Sequence, residues 1–337
     1  MPDNNVESKS TPRPKPFPWT RQEAHDYVVA HTEPELEKGS WAFQLLLRLL
    51  LPPLRAMSWK TADWFGGVVG RLLARLRIRR SVALTNLDIA FGDSKTAAEK
   101  QAIYRACMIN LGRHALDYVR TPQMDEEYWA NFPIENEHLL TETYNRGKGV
   151  ILIGGHIGVW DFAGCRASIG GYPISIVSKR QSNADIERLV RNARLDANLG
   201  TILHKNSMKR ILDGFKRGEG IIMAVDQNMK LDQGIFVDWL GRQASTVKSN
   251  AWVARETGAA VLVGYAFRTG PGRCKLVMTE EVPWEPHPED PEEELRINTQ
   301  NQANAVAKVI RENPELWLWV HRRYKVQPAG VPSPYKD

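Results

Sequence analysis

Residues 147–161 read Gly147-Lys148-Gly149-Val150-Ile151-Leu152-Ile153-Gly154-Gly155-His156-Ile157-Gly158-Val159-Trp160-Asp161. A short aliphatic run between glycines has the pattern of a strand buried on both faces. Similar runs follow at 174–178, 201–203, 221–225, 260–265 and 275–278, with helix-like stretches between several of them, such as 185–198 and 207–216. This alternation predicts βαβ units and an α/β fold, with a mainly parallel central sheet flanked by helices. In such sheets the active site lies beyond the carboxyl ends of the strands.

Polar groups recur at that end. His156 follows the first run, Lys179 and Arg180 the second, His204 and Lys205 the third, Asp226 and Gln227 the fourth. Polar loop residues follow strands in any protein, which accounts for part of the pattern. His156 and Asp161 stand in an H-x4-D spacing. On one continuous helix five residues turn two side chains ~140° apart. With His156 in the loop and Asp161 in the first helical turn, the two can meet. A histidine oriented by a carboxylate is a general base. The chain holds no G-x-S-x-G elbow, so the base would act on a hydroxyl of the substrate. The glycines fit neither a Walker loop nor G-x-G-x-x-G. A metal would lack an obvious third ligand here, and none is expected. Lys205 is a candidate for holding a phosphate.

The whole chain has 337 residues, 42% hydrophobic and 25% charged, with a net charge of +6. That composition is globular, and the modest basic surplus suits an acidic partner, a phosphorylated substrate or an anionic membrane. Three cysteines without a C-x-x-C fit a reducing compartment. The N-terminus is polar and Pro-rich and lacks the pattern of a signal peptide. Residues 41–54 are apolar but are interrupted by Arg48, Pro52 and Pro53. This stretch is shorter than the ~20 residues of a membrane span. A helix that is buried or lies in a membrane interface is expected, with a marginal span as the alternative. Further on, Phe65, Val68, Val69, Leu72, Leu73 and Leu76 form an apolar helical face, with Arg71, Arg75, Arg77, Arg79 and Arg80 beside or beyond it. A basic amphipathic helix of this kind reads as a membrane-surface binder, or as an ordinary bundle helix. Thr96-x-x-Glu99 predicts a capping box that opens a helix to about residue 118. The arginines concentrate on an apolar-faced helix and no nucleic-acid-binding module is present.

Four colinear stretches resemble the late (lauroyl/myristoyl) acyltransferases of bacterial lipid A synthesis, within the wider H-x4-D lysophospholipid and glycerolipid acyltransferases. They are Arg79 to Leu87 with Phe91, the block Gly155 to Phe162, Asp226-Gln227 with Gly234 to Val237 and Gly241, and Pro314 to Arg323. The chain is expected to divide into a polar, partly disordered tail over 1–40, a helical membrane-associating region over 41–125, an acyltransferase domain over 126–326 and a C-terminal tail over 327–337. The resemblance implies transfer of a fatty acyl chain from an acyl-carrier-protein or coenzyme A thioester to a hydroxyl of a lipid A precursor or similar glycolipid. No cofactor beyond that thioester is implied, and the place is the cytoplasmic face of the bacterial inner membrane. His156 matches the general base and Asp161 its carboxylate. Arg180, Asp226 and Gln227 fall at substrate-binding positions, to which Lys205 is added on charge. The segment 178–181, Ser-Lys-Arg-Gln, departs from the Arg-Pro-like sequence of the family. Residues 321–323 are expected either to contact a headgroup or carrier, or to lock the C-terminus. Two rival readings are an acyltransferase for another lipid acceptor and a non-catalytic membrane-binding protein of the same fold.

Overall fold

The structure, a computed structural model, describes residues 17–31, 40–205 and 207–335. Among the described residues five helices come first: α1 (Arg21–His31), α2 (Trp41–Arg55), α3 (Trp59–Arg75), α4 (Arg80–Phe91) and α5 (Ala97–Arg120). Then follow α6 (Glu126–Ala130), β1 (Ile134–Glu135), α7 (Glu137–Asn145), β2 (Val150–Ile153), α8 (Trp160–Ile169), β3 (Ile174–Ser178), α9 (Ala184–Asp196), β4 (Gly200–Leu203), α10 (Met208–Lys216) and β5 (Gly220–Ile222). The hairpin β6 (Gly234–Trp239) and β7 (Arg242–Val247) precedes α11 (Ser249–Thr257), β8 (Ala260–Gly270), β9 (Arg273–Val282) and α12 (Pro291–Glu312).

Seven strands form one sheet in the order β1-β9-β8-β2-β5-β3-β4. Every pairing is parallel except the β8–β9 hairpin. This is the expected α/β fold with a mainly parallel sheet. All four residues of β2 are buried because both sheet faces are covered. Ile151 and Ile153 join the core shared with α4, α5 and α12, while Val150 and Leu152 join the core shared with α7 and α8. The strand expected over 221–225 is shorter, and residues 223–225 already belong to the loop that carries Asp226.

The helix opened by Thr96 forms with both halves of the capping box in place. It packs on α3 through small residues. α3 turns small residues, Ala62, Gly66, Gly67 and Gly70, toward the protein. A Cβ on Gly66 would lie 2.8 Å from the Arg113 backbone, so the backbones of α3 and α5 touch at the glycines. On the larger apolar face Leu72 and Leu76 are exposed, Phe65, Val68 and Val69 are half-buried, and Leu73 packs against the core shared with α4 and α5. α2 buries none of its residues, and Trp41, Leu45, Leu46, Leu49 and Leu50 are exposed. Polar bonds tie α2 at both ends. The Ser40 backbone and Gln44 Nε2 donate to Asp185 at 2.9 and 3.1 Å, and Arg120 Nη1 donates to the carbonyls of Leu54 and Arg55 at 3.0 Å. Among the described residues no helix is long and apolar enough to cross a membrane.

Most of the expected N-terminal tail, residues 1–16 and 32–39, lies outside the described residues, as do 336 and 337. The described part of it is docked. Phe17 is buried, stacked on Trp19 and edge-on to Tyr144, and the Trp19 backbone donates to Gly171 O at 2.9 Å. Three aromatic residues among the prolines, Phe17, Trp19 and Tyr27, give this segment enough apolar surface to seat on the domain. The C-terminal residues 327–335 are likewise held, with the Tyr335 hydroxyl donating to Asn86 Oδ1 at 2.5 Å.

Candidate active site

The site grows from two neighbouring strands. β2 and β5 pair in parallel with Leu152 opposite Ile222. Both chains then run four residues further, one to His156 and the other to Asp226, so the two side chains arrive together. The His156 backbone donates to Asp226 Oδ2 at 2.7 Å, and His156 Nδ1 lies 3.1 Å from Asp226 Oδ1. A Cβ on Gly155 would lie 2.7 Å from Asp226 Oδ2, so this approach requires glycine. Gly158 has φ +61°, and with its backbone beside Ala266 it turns the chain into α8. The Trp317 indole donates to Asp226 Oδ2 at 2.8 Å.

Asp226 is 3% exposed. Burial alone would push its carboxyl upward, yet the facing imidazole and the bonds from His156 and Trp317 hold it well below the usual carboxylate range. Burial likewise favours the neutral form of His156, and the charge and hydrogen bond of Asp226 outweigh it, leaving the ring raised above its ordinary value. Arg194 opposes that rise. With a carboxylate on Nδ1, the proton of the neutral ring sits there and the lone pair is on Nε2. The Gln227 side-chain nitrogen lies 3.1 Å from Nε2. The His156 side chain is 25% exposed, so Nε2 faces the rim.

Asp161 lies in the first turn of α8, where the spacing predicts it, but it faces away from His156. Arg194 Nη2 of α9 reaches both its oxygens, at 3.2 and 3.1 Å, and Arg194 Nη1 donates to Ser178 Oγ at 3.0 Å. Asp161 and Arg194 are both buried, at 2% and 8% exposure. The carboxylate against His156 is thus Asp226 and not Asp161. The physical reason is the sheet order, which sets β5 directly beside β2, while the first turn of α8 points its acid at the neighbouring helix.

The C-terminal segment holds both halves of the pair. Leu318 N donates to His156 O at 3.0 Å and Gly158 N to Leu316 O at 2.9 Å. Arg323, fully buried, donates to Gln227 O at 3.0 Å and Ser245 O at 2.8 Å. Asn228 N donates to His321 Nε2 at 3.1 Å, and Val326 N to Asn228 Oδ1 at 2.8 Å. Burial pushes His321 down to about 4, which suits a ring that accepts a bond. Of the two expectations for 321–323, Arg323 takes the locking one. Arg180 and Lys205 are exposed on the same rim, after β3 and β4, which lie one and two strands beyond β5. Trp317 and Arg194 were not legible as site residues. A tryptophan in a Trp-rich run and an arginine within a charged helix carry no signal of their own.

The sequence profile of the bacterial lipid A biosynthesis acyltransferases matches residues 30–326. The chain belongs to this family. It is an acyltransferase of lipid A biosynthesis, similar to two named Escherichia coli K12 relatives. The lipid A biosynthesis palmitoleoyltransferase is 25% identical over 270 residues, covering 77% of this chain and 83% of that one. The lipid A biosynthesis lauroyltransferase is 25% identical over 281 residues, covering 79% and 86%. Among solved structures, a 1-acyl-sn-glycerophosphate (LPA) acyltransferase from Thermotoga maritima aligns over 76% of this chain at 14% identity, with a TM-score of 0.34.

Proposed function

We propose that this lipid A acyltransferase moves a fatty acyl chain from an acyl-carrier-protein or coenzyme A thioester to a hydroxyl of a lipid A precursor, with His156 as general base and Asp226 as its carboxylate. The observation that carries the reading is the in-register contact of His156 Nδ1 with Asp226, which leaves Nε2 as the base at the rim. His156 Nε2 takes the proton of the acceptor hydroxyl as its oxygen bonds to the thioester carbonyl carbon. The tetrahedral intermediate collapses, the C–S bond breaks, and the imidazolium returns the proton to the leaving thiolate. Asp226 holds the ring and stabilises its charged form. No cofactor beyond the thioester enters. Arg180 and Lys205 along the rim supply charge for substrate phosphates.

Membrane attachment belongs to the same proposal. The exposed apolar side of α2 and the exposed Leu72, Leu76 and Ile78 lie with Arg71, Arg75, Arg77 and Arg79 on the N-terminal helices. Apolar residues can enter the interface while arginines meet anionic headgroups, at ~1 kcal/mol per basic residue. On this reading the enzyme rests on the cytoplasmic face of the inner membrane, with no span in the described residues. The test is acyl transfer in membranes, with labelled thioesters of both kinds and with a lipid A precursor or lysophospholipids as acceptors. Transfer to the precursor that falls about 10²–10⁴-fold in His156→Ala supports the reading. Equal rates in the two proteins refute the base, and transfer only to a lysophospholipid refutes the acceptor.

A further inference from the structure

Asp226 and Gln227 are consecutive residues that grip opposite nitrogens of one ring. Asp226 faces Nδ1 at 3.1 Å, and the Gln227 amide nitrogen lies 3.1 Å from Nε2. Asp226 places the ring proton on Nδ1, so the Gln227 amide must be the donor at Nε2. The loop that carries both is fixed from behind, since Arg323 binds Gln227 O and the Asn228 amide binds His321. Only the Gln227 side chain, which is exposed, is free to leave. In this state the lone pair that takes the acceptor proton is occupied.

We infer that Gln227 is a specificity residue that caps the base until the acceptor arrives, so that the enzyme favours the lipid hydroxyl over water. This rests on the reading of His156 as the base. Water activated by an open Nε2 would attack the thioester carbonyl, form its C–O bond, break the C–S bond and release a free fatty acid and the thiol. A single water must compete with a donor carried by the protein itself. The acceptor hydroxyl is held by the rest of a large lipid, whose binding can displace the Gln227 amide.

The experiment compares wild type, Gln227→Leu and Gln227→Glu, and scores thioester hydrolysis against acyl transfer in the same assay. Gln227→Leu is expected to raise the hydrolysis-to-transfer ratio about 3–10-fold, the scale of one net hydrogen bond. Loss of the donor also stops favouring the neutral ring, so the His156 titration, followed by NMR in histidine-labelled protein, moves up by roughly 0.5–1 unit. The other groups acting on the ring, Asp226, Arg194 with Asp161, His321 and His114, are unchanged in these variants. Gln227→Glu sets a second carboxylate against Nε2, moves the titration up further, and shifts transfer toward higher pH. A merely structural residue would move neither the ratio nor the titration. An unmoved titration in Gln227→Leu, measured with no substrate present, overturns the cap by itself. A wild-type ratio in an active Gln227→Leu overturns the selection against water. If wild type shows no His156-dependent transfer at all, the functional reading falls, and this inference falls with it.

Discussion

Asp226 and Asp161 are both buried, and each has a cationic or ionisable partner. Asp226 takes an imidazole, which can gain and lose a proton, and it leaves the reactive nitrogen at the rim. Asp161 takes a guanidinium, which keeps its charge, and the pair is closed off from solvent. Sequence spacing favours Asp161, and strand adjacency favours Asp226. Neighbouring parallel strands bring the imidazole and its carboxylate together, whereas the i, i+5 acid ties α8 to α9. One acid is therefore read as chemistry and the other as architecture.

Replacing each acid by its amide separates the two roles. Asp226→Asn keeps the shape but offers an N–H where His156 and Trp317 expect an acceptor, and it inverts the ring tautomer. Turnover measured with saturating thioester should fall about 10³–10⁴-fold while the folded structure persists, the scale for a misoriented base. Asp161→Asn should instead leave Arg194 as an uncompensated buried charge and cost about 3–5 kcal/mol in denaturant unfolding. Its folded fraction should retain most of its turnover. The double change Asp161→Leu with Arg194→Met should recover most of that stability, because a well-packed apolar pair often equals a buried ion pair. If Asp161→Asn abolishes turnover in a stable protein and Asp226→Asn does not, the comparison is reversed.

Trp317 gives a finer cut. Its indole donates to the Asp226 oxygen that also accepts from the His156 backbone. Trp317→Phe keeps an aromatic ring in the core and deletes that donor. A bond to a charged group is worth about 1.5–3 kcal/mol, so a roughly tenfold or greater loss of kcat is expected, with little change in KM for the thioester. The Asp226 carboxyl should also titrate higher. A variant with unchanged kcat would make Trp317 a packing residue only.

Much of the scaffold was legible because its signals are local. The run 150–153 is β2, 174–178 is β3, and the Thr96 box opens α5. The rim was legible too, since polar residues after each strand share one end of a parallel sheet. Which rim residues touch was not legible, because that depends on β5 inserting between β2 and β3, an order no local pattern carries. Short β1 and the β6–β7 hairpin were missed, the first because two residues give no period. The apolar side of α3 was legible, with an outward and an inward direction both left open. The glycines that let α3 and α5 touch decide which side faces in, and they register in sequence only as missing side chains.

The two histidines held by the Asp226 loop extend the contrast to pH. His156 faces a carboxylate and is raised, whereas His321 accepts the Asn228 amide and is lowered to about 4 from 6.5. The proposed mechanism needs a neutral His156, so transfer should rise with pH through a midpoint above the ordinary imidazole value. Stability moves in opposite senses at the two rings. What His156 contributes is present below pH 6.5 and is lost as pH rises through its raised value. His321 resists protonation only in the folded chain, so below about 6.5 the unfolded chain binds the extra proton and stability falls until about pH 4. With some discount for its partial exposure, His321 should cost about 1–2 kcal/mol at pH 5 relative to pH 7.5. His321→Gln keeps an acceptor for the Asn228 amide but removes the titration. Its unfolding free energy should therefore lose less between pH 7.5 and 5 than that of wild type, while the midpoint of the transfer profile stays with His156. If the two proteins lose equal stability over that interval, His321 is not the acid-sensitive support of the loop.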